Sequence, residues 1–240
     1  MKLAIMQPYF FPYIGYFQLI NAVDVFVLYD NIQYTKKGWI NRNRILNNGS
    51  DMVISLPIKK DSDYLNICDR ELSEVFIENK NKKHKMLNQI RGLYSGAPFF
   101  KQTFQLIEKI IWYDDKNLFG FIYNSIMNTL EHLNITTKIK ISSDIDINHN
   151  LKSQSKVIAI CKNLKASTYI NAIGGTGLYN KNIFLEENID LKFIKSKLFE
   201  YKQFKDNFCP WLSIIDVMMF NSVDKINNCL NSGYELIDGN

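Results

Sequence analysis

The stretch Leu3–Gln33, LAIMQPYFFPYIGYFQLINAVDVFVLYDNIQ, decides the fold. Leu3 to Met6 is a short apolar run of the kind that forms a strand buried on both faces. Pro8 and Pro12 keep the next segment out of a regular helix, because each removes a backbone donor and drives its predecessor into extended geometry. After Gly15 the period changes. Tyr16, Leu19, Ile20 and Val23 recur at i, i+3, i+4 and i+7, one face of a helix. Asp24 ends that pattern, and Val25 to Tyr29 reads as a second buried strand. Residues 3–7 and 25–29 are therefore expected as adjacent parallel strands, with 16–23 as a right-handed crossover helix. Ligands of such sheets sit beyond the carboxyl ends of the strands. The loop from Gln7 lies there, and so do Asp30, Asn31 and Gln33.

The rest of the chain repeats the alternation. Trp39 to Leu46 reads as extended, with Ile40, Arg42, Arg44 and Leu46 on one face and Trp39, Asn41, Asn43 and Ile45 on the other. Asn47 to Ser50 is a turn, Met52 to Ile58 a strand, and 61–73 a polar loop. Val75 to Ile77 reads as a short strand. Helices are expected over Lys80–Tyr94, Gln102–Trp112 and Asn117–Leu133, the first with a basic start. Strands follow at Lys138–Ile141, Thr168–Ile173 and Leu191–Ile194, the last clear one. Helices follow at Lys152–Leu164, from the Gly174–Gly177 turn to Asn188, at Trp211–Phe220 and at Val223–Leu230. Strands alternating with helices predict an α/β fold with a largely parallel sheet. Residues 1–240 read as one domain, with the helices between about 80 and 134 as an inserted helical lobe.

Composition narrows the class. With 46% hydrophobic residues among 240, the chain can bury a sizeable core. Mean hydropathy is −0.17, and no apolar run approaches the ~18 residues of a membrane span. No signal peptide is visible. Cys68, Cys161, Cys209 and Cys229 are far apart and show no metal spacing, so the expectation is reduced thiols in a cytoplasmic protein. The net charge of +5 suits an anionic small substrate and does not point to nucleic acid.

Five segments, MQPYFFPYIGYFQLI, YDNIQYTKKGWINRNRI, the Lys83-His84 helix ending in LYSGAPFF, TYINAIGGTGLY and PWLSIIDVMMFN, together resemble the WbqC-like family, in order over nearly the whole chain. The resemblance implies a role in surface polysaccharide (O-antigen) biosynthesis. The activity it implies is transfer of an acyl or amino-acyl group to the amine of a nucleotide-linked amino sugar. No bound cofactor is expected. The acyl donor would be a carrier-protein or coenzyme thioester, which makes an acyl or peptidyl carrier protein an expected partner. Through its motifs the resemblance adds Gln33, Lys83 and Asn171 to the substrate contacts. The opening also resembles nucleotidylyltransferases with the HxGH signature, which implies a Rossmann-like fold. Here the matching stretch is Tyr13-Ile14-Gly15-Tyr16, which lacks both phosphate-binding histidines, so adenylyl transfer does not carry over.

Residue chemistry supplies the candidate roles. Gln7, Tyr9, Tyr13 and Tyr16 suit a sugar or base, through aromatic faces and an amide that both donates and accepts. Arg42 and Arg44, flanked by Asn41 and Asn43, suit a diphosphate, since guanidinium forks bind phosphate bidentately. The alternative is an edge strand guarded by charge. Asp30, at the end of a buried strand, is one candidate base for the sugar amine. His84 is the other, among lysines whose charge favours the neutral imidazole. A turn aspartate and a solvated basic helix face are the competing readings. Gly174 and Gly175 follow a strand and open a helix, where backbone N–H groups can cradle an anion. Ser213 and Asp216 are spaced as a capping box with a shorter acid, with substrate contact as the second reading. Cys209 has no basic partner in sequence to make it a nucleophile. The pairs Asp61/Asp63 and Asp144/Asp146 lie in polar loops, and no metal site is expected. A nucleotidyl-transfer enzyme and a non-catalytic sugar-nucleotide binding module are the alternative functions.

Overall fold

The computed structural model describes residues 1–238. β1 (Lys2–Met6) and β2 (Val25–Leu28) pair in parallel, from Leu3 against Val25 to Met6 against Leu28, and α1 (Ile14–Asn21) is the crossover between them. Side chains of both strands alternate between two cores. Leu3, Ile5, Val25 and Val27 face one, and Ala4, Phe26 and Leu28 face the other. Burial on both faces explains the unbroken apolar runs.

A separate antiparallel hairpin follows, β3 (Arg42–Asn47) and β4 (Ser50–Ser55). Asn48 (φ 51°) and Gly49 (φ 89°) form its two-residue turn, in the left-handed region that these residue types tolerate. Four helices come next: α2 (Glu74–Glu78), α3 (Lys80–Tyr94), α4 (Phe100–Ile111) and α5 (Leu118–His132). Their buried residues, Tyr94, Ile107 and Phe121 among them, share the core that α1 faces. The chain then returns to the sheet with β5 (Lys138–Ile141), α6 (Ser153–Asn163), β6 (Thr168–Ala172), α7 (Lys181–Glu186) and β7 (Asp190–Ser196). It closes with α8 (Ile214–Phe220), α9 (Val223–Ser232) and β8 (Tyr234–Asp238). The sheet order is β5-β2-β1-β6-β7-β8, parallel except for β8. This is a Rossmann-like α/β fold. Strand order reverses between β1 and β6, the switch point at which such sheets open a crevice.

Three local expectations are corrected. Val75–Ile77 is not a strand but lies in α2, where Glu74 puts a negative charge in the first turn and only Phe76 is buried. The last strand is β8 rather than β7. It is a mostly exposed edge strand, so it carries no apolar run to betray it. The Gly174–Gly177 turn belongs to a 3-10 stretch, Ile173–Leu178, and the helix after it is only Lys181–Glu186.

A buried side chain helps tie the two ends of the chain. Gln18, fully buried on α1, donates through Nε2 to the carbonyls of Cys229 (3.1 Å) and Gly233 (2.9 Å). Each carbonyl also accepts a backbone N–H, Cys229 from Gly233 (2.8 Å) and Gly233 from Lys197 (2.8 Å), so Gln18→Ala removes two hydrogen bonds without orphaning either acceptor. It should lower stability by about 1–3 kcal/mol, the net worth of two hydrogen bonds, in urea denaturation.

Candidate functional site

A cavity of about 350 Å³ opens at the carboxyl edge of β1, β6 and β7. The loop after β1 gives it Tyr9, Pro12 and Tyr13. Ile173 follows β6, and Ser196 ends β7. The far wall is Trp39, Asn43 and Arg44 from the hairpin segment, with Trp211 from the chain before α8. Trp39 and Trp211 are 42% and 43% exposed, so part of each indole is open to the cavity.

Hydrogen bonds between distant segments hold the loop in this shape. Phe10 donates its N–H to the Ile40 carbonyl (2.9 Å), and Asn43 Nδ2 donates to the Phe10 carbonyl (3.2 Å). Ser213 Oγ donates to the Phe11 carbonyl (2.7 Å), and the Ile214 N–H to the Pro12 carbonyl (2.9 Å). Phe11 and Trp211 have φ of 42° and 58°. A bulky residue there is strained, and strain of this kind collects at functional sites. Gly15 permits a further close approach. A Cβ there would meet the Tyr13 ring and come within 2.5 Å of Ser196 Oγ.

The wall is rich in donors. Arg44 Nη1 reaches Asp51 Oδ2 (3.2 Å), and its Nη2 donates to the Trp211 carbonyl (3.2 Å). Arg42 and Arg44 both lie over the Trp39 ring, at 5.9 and 5.7 Å. Burial pushes the Tyr9 and Tyr13 phenols above their ordinary value of 10.0. Neighbouring Tyr13 adds to the rise at Tyr9, while a hydrogen bond with Ser196 opposes it at Tyr13. Both therefore stay protonated at neutral pH. The nine lining residues include no carboxylate, imidazole or amine.

Four of the expected site residues line the cavity: Tyr9, Tyr13, Asn43 and Arg44. Others stand behind it. Tyr16 donates to the Gln7 carbonyl (3.0 Å), and the Tyr9 hydroxyl lies 3.5 Å from Gln7 Oε1. Arg42 is turned to the Gly38 carbonyl, and Asn41 to the Leu56 carbonyl. Asn171, buried at the end of β6, packs against Gly175, where a Cβ would fall 2.5 Å from its amide nitrogen. Gly174 is exposed. Ser213 caps α8 by accepting from Ile215 N (3.2 Å), but the reciprocal acid of a capping box is absent, because Asp216 turns inward.

The remaining candidates lie apart from the cavity wall. Asp30 is 1% exposed, and its carboxylate accepts from Ser143 N (3.0 Å) and Ser143 Oγ (2.7 Å). Buried Lys156, whose ammonium form burial disfavours, feels that carboxylate and donates to Asn31. Gln33 binds the Asp63 carbonyl. Lys83 is buried and donates to the Tyr113 carbonyl at the end of α4, and burial lowers its pKa. His84 is exposed on α3, edge-on to Trp112 at 4.8 Å. All four cysteines are free thiols, and burial raises Cys209 as well. Sequence reasoning missed Trp39, Trp211, Pro12, Ile173 and Ser196 as wall residues. The signal available for the two tryptophans was Trp39 three residues before Arg42 and Trp211 directly after Pro210.

Asp216, on α8, is fully buried beneath the wall. It accepts from Tyr94 (2.8 Å), Tyr201 (2.6 Å) and Gln203 Nε2 (2.8 Å). Tyr94 Oη in turn accepts the Leu46 N–H of β3 (2.7 Å), and Gln203 pairs with both backbone groups of Cys209. The carboxylate thus fixes the hairpin on one side and the approach to Trp211 on the other.

The model of the WbqC-like protein family matches residues 7–228. The chain belongs to the WbqC-like protein family. It is also similar to the "Uncharacterized protein Rv1507c" of Mycobacterium tuberculosis, with 25% identity over 222 residues, 92% of this chain and 93% of the relative. No solved structure matches it. Among the described residues, no helix is long and apolar enough to cross a membrane, and no group of three or more His, Cys, Asp or Glu is placed to hold a metal ion.

Tyr94→Phe leaves the Leu46 N–H without an acceptor and takes a donor from Asp216. It should cost about 1–3 kcal/mol in urea denaturation. Burial raises the Asp216 carboxyl above its ordinary 3.8, while its three donors pull the other way. The folded chain therefore holds this proton more tightly than the unfolded chain, and the group costs stability as pH rises from 3.8 through the folded value. Asp216→Asn lacks that component. The stability of wild type relative to Asp216→Asn should fall across this window and level off above it, as read from denaturation at a series of pH values.

Proposed function

We propose that this WbqC-like protein binds a sugar carrying a phosphate or nucleotide group in the aromatic cavity. We further propose that it serves as a transferase placing an acyl or amino-acyl group on the sugar's amine in surface polysaccharide assembly. The observation that carries the binding half is the wall: Tyr9, Tyr13, Trp39 and Trp211 around Arg44, at the switch point of a parallel sheet. Aromatic faces accept the apolar side of a pyranose or a base, and a guanidinium suits phosphate. The size, about 350 Å³, is that of a small-molecule site. Family membership supports the polysaccharide setting.

In the proposed transfer the sugar amine attacks the carbonyl carbon of a thioester. A C–N bond forms, the C–S bond breaks, the thiolate leaves and the ammonium proton passes to a base. Tyr9, Tyr13 and Ser196 are hydroxyl donors suited to the oxyanion. The proton is the harder demand. Asp30 and His84 are outside the wall, and none of the lining residues accepts a proton near neutral pH. That composition favours a second reading, a non-catalytic sugar-nucleotide binding module.

The test is calorimetry with nucleotide-linked amino sugars, paired with a transfer assay using thioester donors. Arg44→Gln should weaken binding roughly tenfold at low salt, and less at high salt because the guanidinium is partly exposed. Trp211→Ala should weaken it at both. Wild-type affinity in both variants removes the cavity from the site. Binding without transfer from any donor selects the binding module.

A further inference from the structure

Arg70 follows the 3-10 turn Ile67–Asp69 and is only 3% exposed. Its Nη1 donates to the Ser62 carbonyl (2.9 Å), and the guanidinium lies 4.6 Å from the centre of the Tyr34 ring. Its Nε is buried without an acceptor, and Arg70 enters no ion pair among the described residues. A buried guanidinium with no counter-charge is costly. Asp63 is close enough to feel it, but that carboxylate is held by Lys36 at 2.6 Å.

Arg70 lines an open cleft of about 380 Å³ that shares no residue with the aromatic cavity. Lys36, Lys59 and Lys60 line the same cleft, against Asp61 as the one carboxylate of its lining. Lys60 enters no ion pair among the described residues. Lys36 and Lys59 are committed to Asp63 and Glu71, but those pairs are solvent-exposed and exchange at little cost. Four cations thus converge on one cleft, and the most buried of them lacks a carboxylate partner among the described residues.

We propose that this cleft is a binding site for a phosphate-type anion. Arg70 is its buried charge, with Lys60 and the neighbouring lysines closing over the outer oxygens. Phosphate has enough oxygens to take a guanidinium and several ammonium groups at once. The site is independent of the function proposed for the aromatic cavity.

The test is a calorimetric titration with pyrophosphate at low salt. Saturable binding is expected in wild type and is retained in Arg44→Gln. In the Arg44→Gln background, which silences the aromatic cavity, it should be roughly tenfold weaker with Lys60→Gln and lost with Arg70→Gln. Lys60 is exposed, so its variant decides the question even where Arg70→Gln does not fold. Uridine diphosphate is then added to the Arg44→Gln protein holding pyrophosphate. Displacement identifies a nucleotide-borne phosphate as the ligand, and failure to displace identifies the free anion. The proposal is overturned by any of three results: no saturable binding to wild type at about 10 mM, affinity unchanged when Lys60→Gln is added to Arg44→Gln, or loss of binding in Arg44→Gln alone.

Discussion

One buried carboxylate organises the wall of the candidate site. Asp216 takes hydrogen bonds from three side chains belonging to α3 and to the segment before α8. Two of those side chains pass the constraint on to backbone, Tyr94 to Leu46 in β3 and Gln203 to Cys209. A polar network in a low-dielectric interior rigidifies its surroundings only when every member is satisfied. Here the satisfied members lie directly under the hairpin carrying Arg44 and the stretch carrying Trp211. The cavity shape is thus a consequence of core chemistry, although its lining is half exposed.

The cavity also inherits its place from the sheet. β1 is central, with β2 and β5 to one side and β6, β7 and β8 to the other. Connections that leave the sheet in opposite directions open a gap at its carboxyl edge, and the proline-containing loop after β1 folds into it. Pro8 and Pro12 keep that loop from becoming helical, so Tyr9 and Tyr13 project into the crevice. The strained backbone at Phe11 and Trp211 is held by hydrogen bonds from β3 and the start of α8.

Much of this was legible in the sequence, and the rest was hidden for physical reasons. Strands buried on both faces, such as β1 and β2, write themselves as apolar runs, and amphipathic helices such as α3 and α6 write a 3.6-residue period. Edge strand β8 does neither, because only part of one face is covered. Arg44 was readable from its place in Asn41–Arg44, yet its neighbour Arg42 turns to the Gly38 carbonyl, a choice set by the bend before β3. Asp216 carried an ambiguous signature. Spacing from Ser213 suggested a cap, while its true partners are 13, 15 and 122 residues away. Side chains that act through such long-range contacts leave no local pattern. His84 and Asp30 had the right chemistry for a base, but one is on an exposed helix face and the other is closed in by Ser143.

The tether from Asp216 to Leu46 has a kinetic meaning. Residues 46, 94 and 216 must all be in place before the cavity has two walls, so its assembly waits for contacts 48 and 122 residues apart in sequence. Contacts of this kind stabilise the chain only after its loop-closure entropy has been given up, and they are lost when the core opens. A compound seated between the hairpin and Trp211 therefore recognises only the completed chain. Its occupancy would pull the whole folding equilibrium toward the native state, in proportion to ligand concentration over Kd. Thermal shift is accordingly a sensitive way to find what this cavity holds, since binding there and global folding report the same event.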